Sequence, residues 1–537
     1  MKKYQFKLTF LLVATALVTS SCTDLEVSET DSIITLTNAD GTTFNGVENP
    51  QSALDNAYNN IRSYWDTQEN QYALSEVTTD EFIIPTRGTD WGDNGLWRVL
   101  HQHSWTFEHQ FINNTWNNWN TLQLLASEII DPKSNASVQQ IAEAKFIRAY
   151  SQWYILDFWG IVPVRDLSLP PSELPEVLDA STALEGIVQD LNDAIADLAE
   201  VGPGVDTERA NKSIARFLLA KVLLNKHIYN GSGTADSADM DQVISLVDAI
   251  TAEGYALQAG YFDLFRNQSN TETIFSTPAS NGSRMWNTLH YNLGNDLGAG
   301  GGWNGFSTLA EFYDSFEGDS EVNTPGSGQE ERRGFVPLSG LAAGAEGTSD
   351  GNNDGFADGS NVGYGFLIGQ QYALDGTPLT DRNDDPLSFT RNFVDGTGQQ
   401  NLQNNGETTG IRVIKYNPRF GDFVPHQVLF RYADAYLMKA EAMMRKGNDV
   451  TAMVNELREL RQATPLGTVT EADLLAERGR ELFAEGWRRN DLIRFGQYTR
   501  DWVFKESTSV GDETKHLFPI PAAQLITNPN LVQNPGY

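Results

Sequence analysis

Apolar side chains recur at helical spacing over two long stretches of this chain and are scattered irregularly between them. Residues 51–65 place Leu54, Tyr58, Ile61 and Trp65 on one stripe, and residues 116–130 place Trp116, Trp119, Leu122 and Leu125 on another. The same period predicts helices over 137–158, 181–199, 209–228, 239–253, 429–446, 450–463 and 471–487. Several of these form pairs joined by short turns, with small residues (Ala220, Ala440, Ala442) where helices would pack closely. Such pairing predicts a mainly α, tetratricopeptide-like scaffold of helix hairpins, although the period of about 34 residues typical of that repeat is not cleanly repeated.

The pattern changes between about 255 and 425. Gly, Asn, Asp and Thr dominate, Gly300-Gly301-Gly302 punctuates the run, and short β-like pieces such as Ile411–Ile414 interrupt it. Its aromatic content is too high for a disordered linker. The stretch at about 256–425 reads as a loop-rich irregular lobe inserted into the scaffold. The helical parts at about 51–255 and 426–500 would then share one core, making residues 51–537 a single composite domain.

The start of the chain has its own pattern. Lys2, Lys3 and Lys7 precede the apolar run Leu8–Val18, and Thr19-Ser20-Ser21 lead to Cys22. This is a signal peptide over 1–21, too short to span a bilayer. Cys22 stands where a bacterial lipoprotein accepts its lipid, and the polar residues 22–50 read as a flexible lipid-anchored tether. Stable anchoring takes more than one acyl chain, at about 0.8 kcal/mol per buried methylene.

Charge and cysteine usage narrow the function. The chain has 38 basic and 71 acidic side chains, and loss of the three signal lysines takes the net charge from −33 to −36. Such a field repels nucleic acid and anionic surfaces. Cys22 is the only cysteine, so disulfides, zinc–thiolate centres and cysteine nucleophiles in the body are excluded.

Five ordered motifs then carry a resemblance. They are EAKFIRAYSQWYILDFWGIVP (143–163), FRYADAYLMKAEAMMRKG (430–447), VNELRELRQA (454–463), ERGRELFAEGWRRNDLIRFG (477–496) and the terminal FPIPAAQLITNPNLVQNPGY (518–537). In sequence and order they resemble the SusD/RagB family of surface glycan-binding lipoproteins. The resemblance implies a tetratricopeptide-like scaffold with an irregular lobe, an outer-membrane address facing the cell exterior, and glycan binding without catalysis or a required cofactor. It also implies partnership with a TonB-dependent SusC-like transporter, over which the body would swing as a lid. The motifs themselves read as structural: Glu477, Glu481 and Glu485, interleaved with Arg478, Arg480, Arg488 and Arg489, would form salt-bridged helix faces, and Arg431 and Glu441 would pair within the solenoid.

Candidate ligand residues lie elsewhere. Six of the twelve tryptophans (65, 91, 97, 105, 116, 119) fall within 55 residues. Trp65, Trp116 and Trp119 sit on amphipathic stripes and read as core. Trp91 and Trp97 sit in TRGTDWGDNGLWRVL (86–100), a turn-rich loop with Arg87, Asp90, Asp93 and Asn94 around them. A sugar ring offers an apolar C–H face to an indole and paired hydroxyls to planar polar groups. Trp303, with Asn304 beside it and Trp286 and Tyr291 upstream, forms a second such set in GAGGGWNGFS (298–307). Members of the resembled family place glycan-stacking aromatics in comparable loops; the competing reading is that each tryptophan pins its own loop.

Three further patterns stand in the chain. In DGNNDGFADGSN (350–361), Asp350, Asn352, Asp354, the Phe356 carbonyl and Asp358 fall at calcium-loop positions, with Asn361 in place of the closing glutamate. An Asx-turn-rich loop is the alternative. His101, His103 and His109 have metal-ligand spacing without a carboxylate partner. Gly300, Gly302 and Gly305 match a dinucleotide motif without its strand–turn–helix setting. The rival function is a surface glycoside hydrolase, which needs two carboxyl groups ~5–9.5 Å apart across the scissile bond. The acidic field favours a neutral glucan, for instance a β-glucan of the laminarin type.

Overall fold

The computed structural model describes residues 35–37, 43–265, 270–279, 288–293, 302–338, 363–373, 376–416 and 426–537. Helix α1 (Pro50–Trp65) starts on Asn49, whose side chain accepts from Ser52 N, with Pro50 in the first turn. Then come α2 (Asn70–Glu76), α3 (Leu96–Gln102), α4 (Gln110–Ile130) and α5 (Val138–Trp159). α5 opens with a capping box between Ser137 and Gln140 and ends on Gly160 at φ 73°. α6 (Ala180–Asp197), α7 (Lys212–Tyr229) and α8 (Ser237–Ala252) are capped by Asp179, Asn211 and Asp236. From α4 to α8 each helix packs on the next, the stacking of a helical solenoid.

The chain leaves the scaffold after strand β1 (Thr273–Pro278) and returns by strand β2 (His426–Arg431), which pairs antiparallel with β1. The irregular segment is therefore inserted between two hydrogen-bonded strands. It holds short antiparallel ladders and isolated bridges. Past β2, α9 (Tyr432–Arg445) packs on α8, and α10 (Thr451–Leu460), α11 (Glu471–Leu482) and α12 (Arg488–Arg494) complete the scaffold. One apolar core holds Phe146 and Tyr150 of α5, Phe217 of α7, Phe275 of β1, Phe430 of β2 and Trp487. Trp65, Trp116 and Trp119 are buried in it, as their stripes predict.

The family motifs build a buried ion network between segments, more than salt-bridged faces along their own helices. Arg332 reaches Glu477 at 2.7 Å and Glu481 at 3.1 Å. Arg431 reaches Glu481 and Glu485 at 2.8 Å, and Arg461 reaches Glu272 at 2.8 Å and Glu481 at 2.9 Å. Glu441 pairs with Arg494 and Arg445, and Arg489 with Asp157. Arg431 and Glu441 thus have other partners than one another. Of the motif pairs, Arg480–Glu477 is the bond made along α11 itself. Buried charges are tolerated only when paired and hydrogen-bonded, and here the partners come from segments distant in sequence.

Two helix expectations need correction. The segment expected as 429–446 remains a strand through Arg431 before α9 begins. The segment expected as 471–487 breaks after Leu482, with Ala484 at φ 61° and Gly486 at φ 87°. There the buried carboxylates of Glu81 and Glu76 accept from Ala484 N and Gly486 N, replacing the helical acceptors.

Candidate functional site

The site forms where three loops of distant sequence meet. The first is 86–95. Arg87 and Asp90 exchange backbone hydrogen bonds of 3.0 and 2.9 Å across Gly88-Thr89, a tight hairpin turn. Next, Trp91, Asp93 and Asn94 all take left-handed φ (59°, 34° and 52°). Asn tolerates this conformation, but a tryptophan there is strained, and such strain persists only where surroundings over-determine it. Two contacts do so. Trp91 Nε1 donates to Trp303 O at 2.7 Å. The indole also lies directly on Gly305, where a Cβ would fall 2.3 Å from Cε2.

Arg87 is the staple of the site. Its Nε donates to Asn304 O at 2.7 Å, its Nη1 to Gly406 O at 2.8 Å and Thr409 Oγ1 at 2.6 Å, and its Nη2 to Ser307 Oγ at 3.0 Å. One buried guanidinium thus joins loops 86–95, 302–307 and 405–409. Burial lowers it to about 9, with Tyr291 and Glu407 opposing. Asn304, at φ 55°, accepts from Arg412 through Oδ1 and donates from Nδ2 to Glu407 O at 2.9 Å.

These positions correct part of the expected ligand set. Trp97 is 2% exposed; its Nε1 donates to Asp93 Oδ2 at 2.8 Å and its ring packs on Phe111, Phe306 and Trp91. Its indole is the floor under Trp91, with no face left for a sugar. Arg87 at 3% and Asn304 at 0% exposure spend their polar groups on the loops themselves. For Trp97, the loop-pinning reading holds. Gly95 and α3 explain why: the chain re-enters a helix at Leu96 and carries Trp97 inward.

The other expected residues reach the surface. Trp303 is 66% exposed. Trp91 is half-buried beside it, and Asn94 and Asp93 lie exposed. Tyr291 is half-buried, and its hydroxyl donates to Asp90. Burial first, then the bond to Asp90, raise its hydroxyl well above the usual range. Trp286 and the calcium-loop residues Asp350, Asn352, Asp354, Phe356 and Asp358 lie outside the described residues, as does Cys22.

Sequence reasoning missed Arg382 and Glu407. The Arg382 guanidinium lies 3.7 Å from the centre of the Tyr291 ring, with Nη2 3.4 Å from Asp90 and Nε on Glu407. Half of this side chain is open to solvent, so donors remain for a ligand. Burial works against its charge, and Glu407, Tyr291 and Asp90 outweigh that. Glu407 also accepts from His290 Nε2 at 3.1 Å, while His290 Nδ1 accepts from Asn292 N. Burial and the charges of Arg412, Arg87 and Arg382 push His290 down to about 3, so it is neutral. Nothing local marks Arg382: it lies 292 residues from Asp90 in a turn-rich stretch.

The three histidines with metal-ligand spacing are bonded within the fold. His101 bonds Val503 O and Phe82 O, His103 bonds Thr78 O, and His109 caps α4 by accepting from Phe111 N. Among the described residues no group of three His, Cys, Asp or Glu could hold a metal ion.

The arrangement is therefore an exposed indole, a second indole beside it, and a fixed Tyr–Arg–carboxylate cluster. Comparison with known proteins agrees in fold. The SusD family model matches residues 271–537. The starch-binding protein SusD of Bacteroides thetaiotaomicron is 29% identical over 435 residues, covering 75% of this chain and 73% of that protein. Surface glycan-binding protein A from Bacteroides uniformis superposes with a TM-score of 0.66 at 16% identity, covering 90% of this chain and 98% of the other. Surface glycan-binding protein A from Bacteroides thetaiotaomicron, solved in complex with laminarihexaose, superposes at 0.62 and 16% identity, with 90% and 98% covered.

Proposed function

The chain belongs to the SusD family, and on that premise we propose that it captures oligo- or polysaccharide at the cell surface without chemically altering it. The observation that carries this reading is the exposed Trp303 face, set beside Trp91 and the Tyr291–Arg382–Asp90 cluster. An indole open to water offers an apolar platform for a pyranose ring, and charged planar groups held in place offer hydroxyl partners without ordering cost. Asp90, Tyr291 and Asn94 are retained as ligand contacts, and Arg382 joins them.

The preferred ligand is a neutral glucan, with a laminarin-type β-glucan as the leading candidate. The −33 charge of the chain supports a neutral polymer, and a relative in fold was solved with laminarihexaose. Cys22 would carry the lipid that holds the body at the outer membrane, and a SusC-like transporter would receive the glycan. The hydrolase reading has less support. Of the carboxylates at the site, Asp90 already holds the Tyr291 hydroxyl, and Glu407 holds Arg382 and His290.

Native affinity gels with a panel of neutral and anionic polysaccharides test the proposal. Retardation by a neutral β-glucan, with no release of reducing ends after overnight incubation, is expected. Released reducing ends would transfer the protein to the hydrolases, and indifference to every glycan would remove the binding reading.

A further inference from the structure

The carboxyls of Glu76 and Glu81 meet the same turn of chain. Both side chains are fully buried. Glu81 accepts from Ala484 N, and Glu76 accepts from Gly486 N two residues further on. The break after Leu482 thereby brings two acidic groups to one dry place.

The charged groups around them have other commitments. Arg488 of α12 bonds Asp80 through Nε and Nη2, both at 2.7 Å, and Arg500 reaches the same carboxylate at 2.7 Å. Arg431 and Lys415 pair with Glu485 in the turn itself, and Lys221, over the Trp487 ring, pairs with Asp434. Lys505 donates to Tyr498 O. His101 and His103, on the side of α3, are lowered by burial and neutral. From α1 comes Trp65, which lies on Gly486 and carries no charge. Among the described residues no cation pairs with Glu81, and Arg488 acts on it through space alone. A buried carboxylate without a paired cation is far costlier than a neutral carboxyl, so such a group keeps its proton. Burial first, then the charge of Glu76, push the Glu81 carboxyl well above the ordinary range, with Arg488 opposing.

The two residues after Glu81 reach the Trp303 loop directly. Phe82 packs on Phe306 with ring centres 5.7 Å apart, and Ile83 and Ser307 exchange backbone hydrogen bonds of 2.8 and 3.0 Å. Phe306 in turn packs against Trp91 and Trp97.

We propose that Glu76 and Glu81 hold one proton between them in the folded chain, and that its loss as pH rises loosens the seam carrying the Trp303 loop. A carboxyl raised by folding keeps a proton that the unfolded chain, titrating at about 4.3, has already released. Stability from this group is therefore present in acid and is lost as pH rises towards the folded value. Once ionised, the pair sets two like charges against one turn, and the repulsion falls on Ala484 and on residues 81–83. The inference does not depend on what the Trp303 face binds.

Glu81→Gln copies the protonated form: its amide oxygen still accepts from Ala484 N, and its charge is fixed at zero. Wild type and variant are compared from about pH 5 to pH 9 by denaturant titration and by hydrogen–deuterium exchange of residues 302–309. Relative to the variant, the wild-type unfolding constant is expected to rise about tenfold per pH unit until the pair ionises. Exchange in 302–309, referred to the intrinsic rate at each pH, is expected to quicken with pH in wild type and to stay level in the variant. Parallel stability curves would overturn the bound proton. Diverging curves with identical exchange in 302–309 would overturn the coupling to the loop. If Glu81→Gln does not fold, Glu76→Gln takes its place: removing the neighbouring charge should flatten the pH profile, and an unchanged profile counts against the proposal.

Discussion

Trp303→Ala separates a binding platform from a loop pin. A tryptophan buries about 150–250 Å² when covered, and this one is 66% exposed, so roughly 150 Å² of it is open. A pyranose covers one of two faces, about 75 Å², which at ~25 cal/mol per Å² is close to 2 kcal/mol. That corresponds to a loss of about 30-fold in affinity. The contact that steadies Trp91 uses the backbone carbonyl of Trp303, so it survives the substitution. Stability should change by no more than ~0.5 kcal/mol, as for other surface positions. Trp97→Ala is the contrast: its ring is buried, and its loss should cost about 3–5 kcal/mol. Calorimetric titration with laminarin and starch oligosaccharides, paired with thermal melts, reads both quantities. Unchanged affinity in Trp303→Ala for every glycan that the parent protein binds would refute the reasoning. Lost affinity with a melting temperature several degrees lower would refute it too, since Trp303 would then be a structural pin.

Gly305→Ala places a Cβ 2.3 Å from the Trp91 ring; overpacking of this kind costs about 1–3 kcal/mol, and glycan retardation should fall with it, whereas an unaltered gel and melt would show that the indole moves freely. Glu481→Gln leaves Arg332, Arg431 and Arg461 short of a buried counter-charge and should destabilise the fold by about 3–5 kcal/mol, read by denaturant titration. Acid should act through the same network. Burial alone would raise Glu477, but Arg332, Arg480 and Arg458 outweigh it and hold its carboxyl at about 2; Asp80 is held at about 2 by Arg488 and Arg500, again against burial. Carboxyls lowered by folding add stability above their unfolded values of ~4 and lose it as pH falls toward the folded ones, so the melting temperature should drop steeply between pH 4 and pH 2; a flat profile there would contradict the assignment. Cys22→Ser should move the protein from the membrane to the soluble fraction with its glycan affinity intact, and membrane retention of that variant would disprove the anchor.

Legibility in the sequence followed the range of the interactions involved. Helix periodicity depends on neighbours three and four residues apart, and the helices at 50–65, 138–159, 180–197 and 237–252 stand where the stripes place them. The break after Leu482 escaped because its cause, the carboxylates of Glu76 and Glu81, lies some 400 residues away. The site divides in the same way. The glycines around Trp91 and Trp97 predict a loop for both, yet Trp97 falls on α3, and which indole faces water is decided by where α3 begins and by the packing of Phe111 and Phe306.

The amino-acid pattern alone marks the chain as mainly helical, marks a Gly- and Asn-rich stretch between the helical parts, and marks six tryptophans crowded between positions 65 and 119, because each is a local property of composition and spacing. Only the tertiary structure decided that Arg87 and Asn304 spend their polar groups on loops, that Arg382 and Glu407 complete the cluster around Tyr291, and that Trp303, of the three expected indoles, is the one largely open to solvent. Those outcomes depend on burial and on charges brought together across 200 to 300 residues. Burial is settled by packing of the whole chain, and no local pattern encodes it.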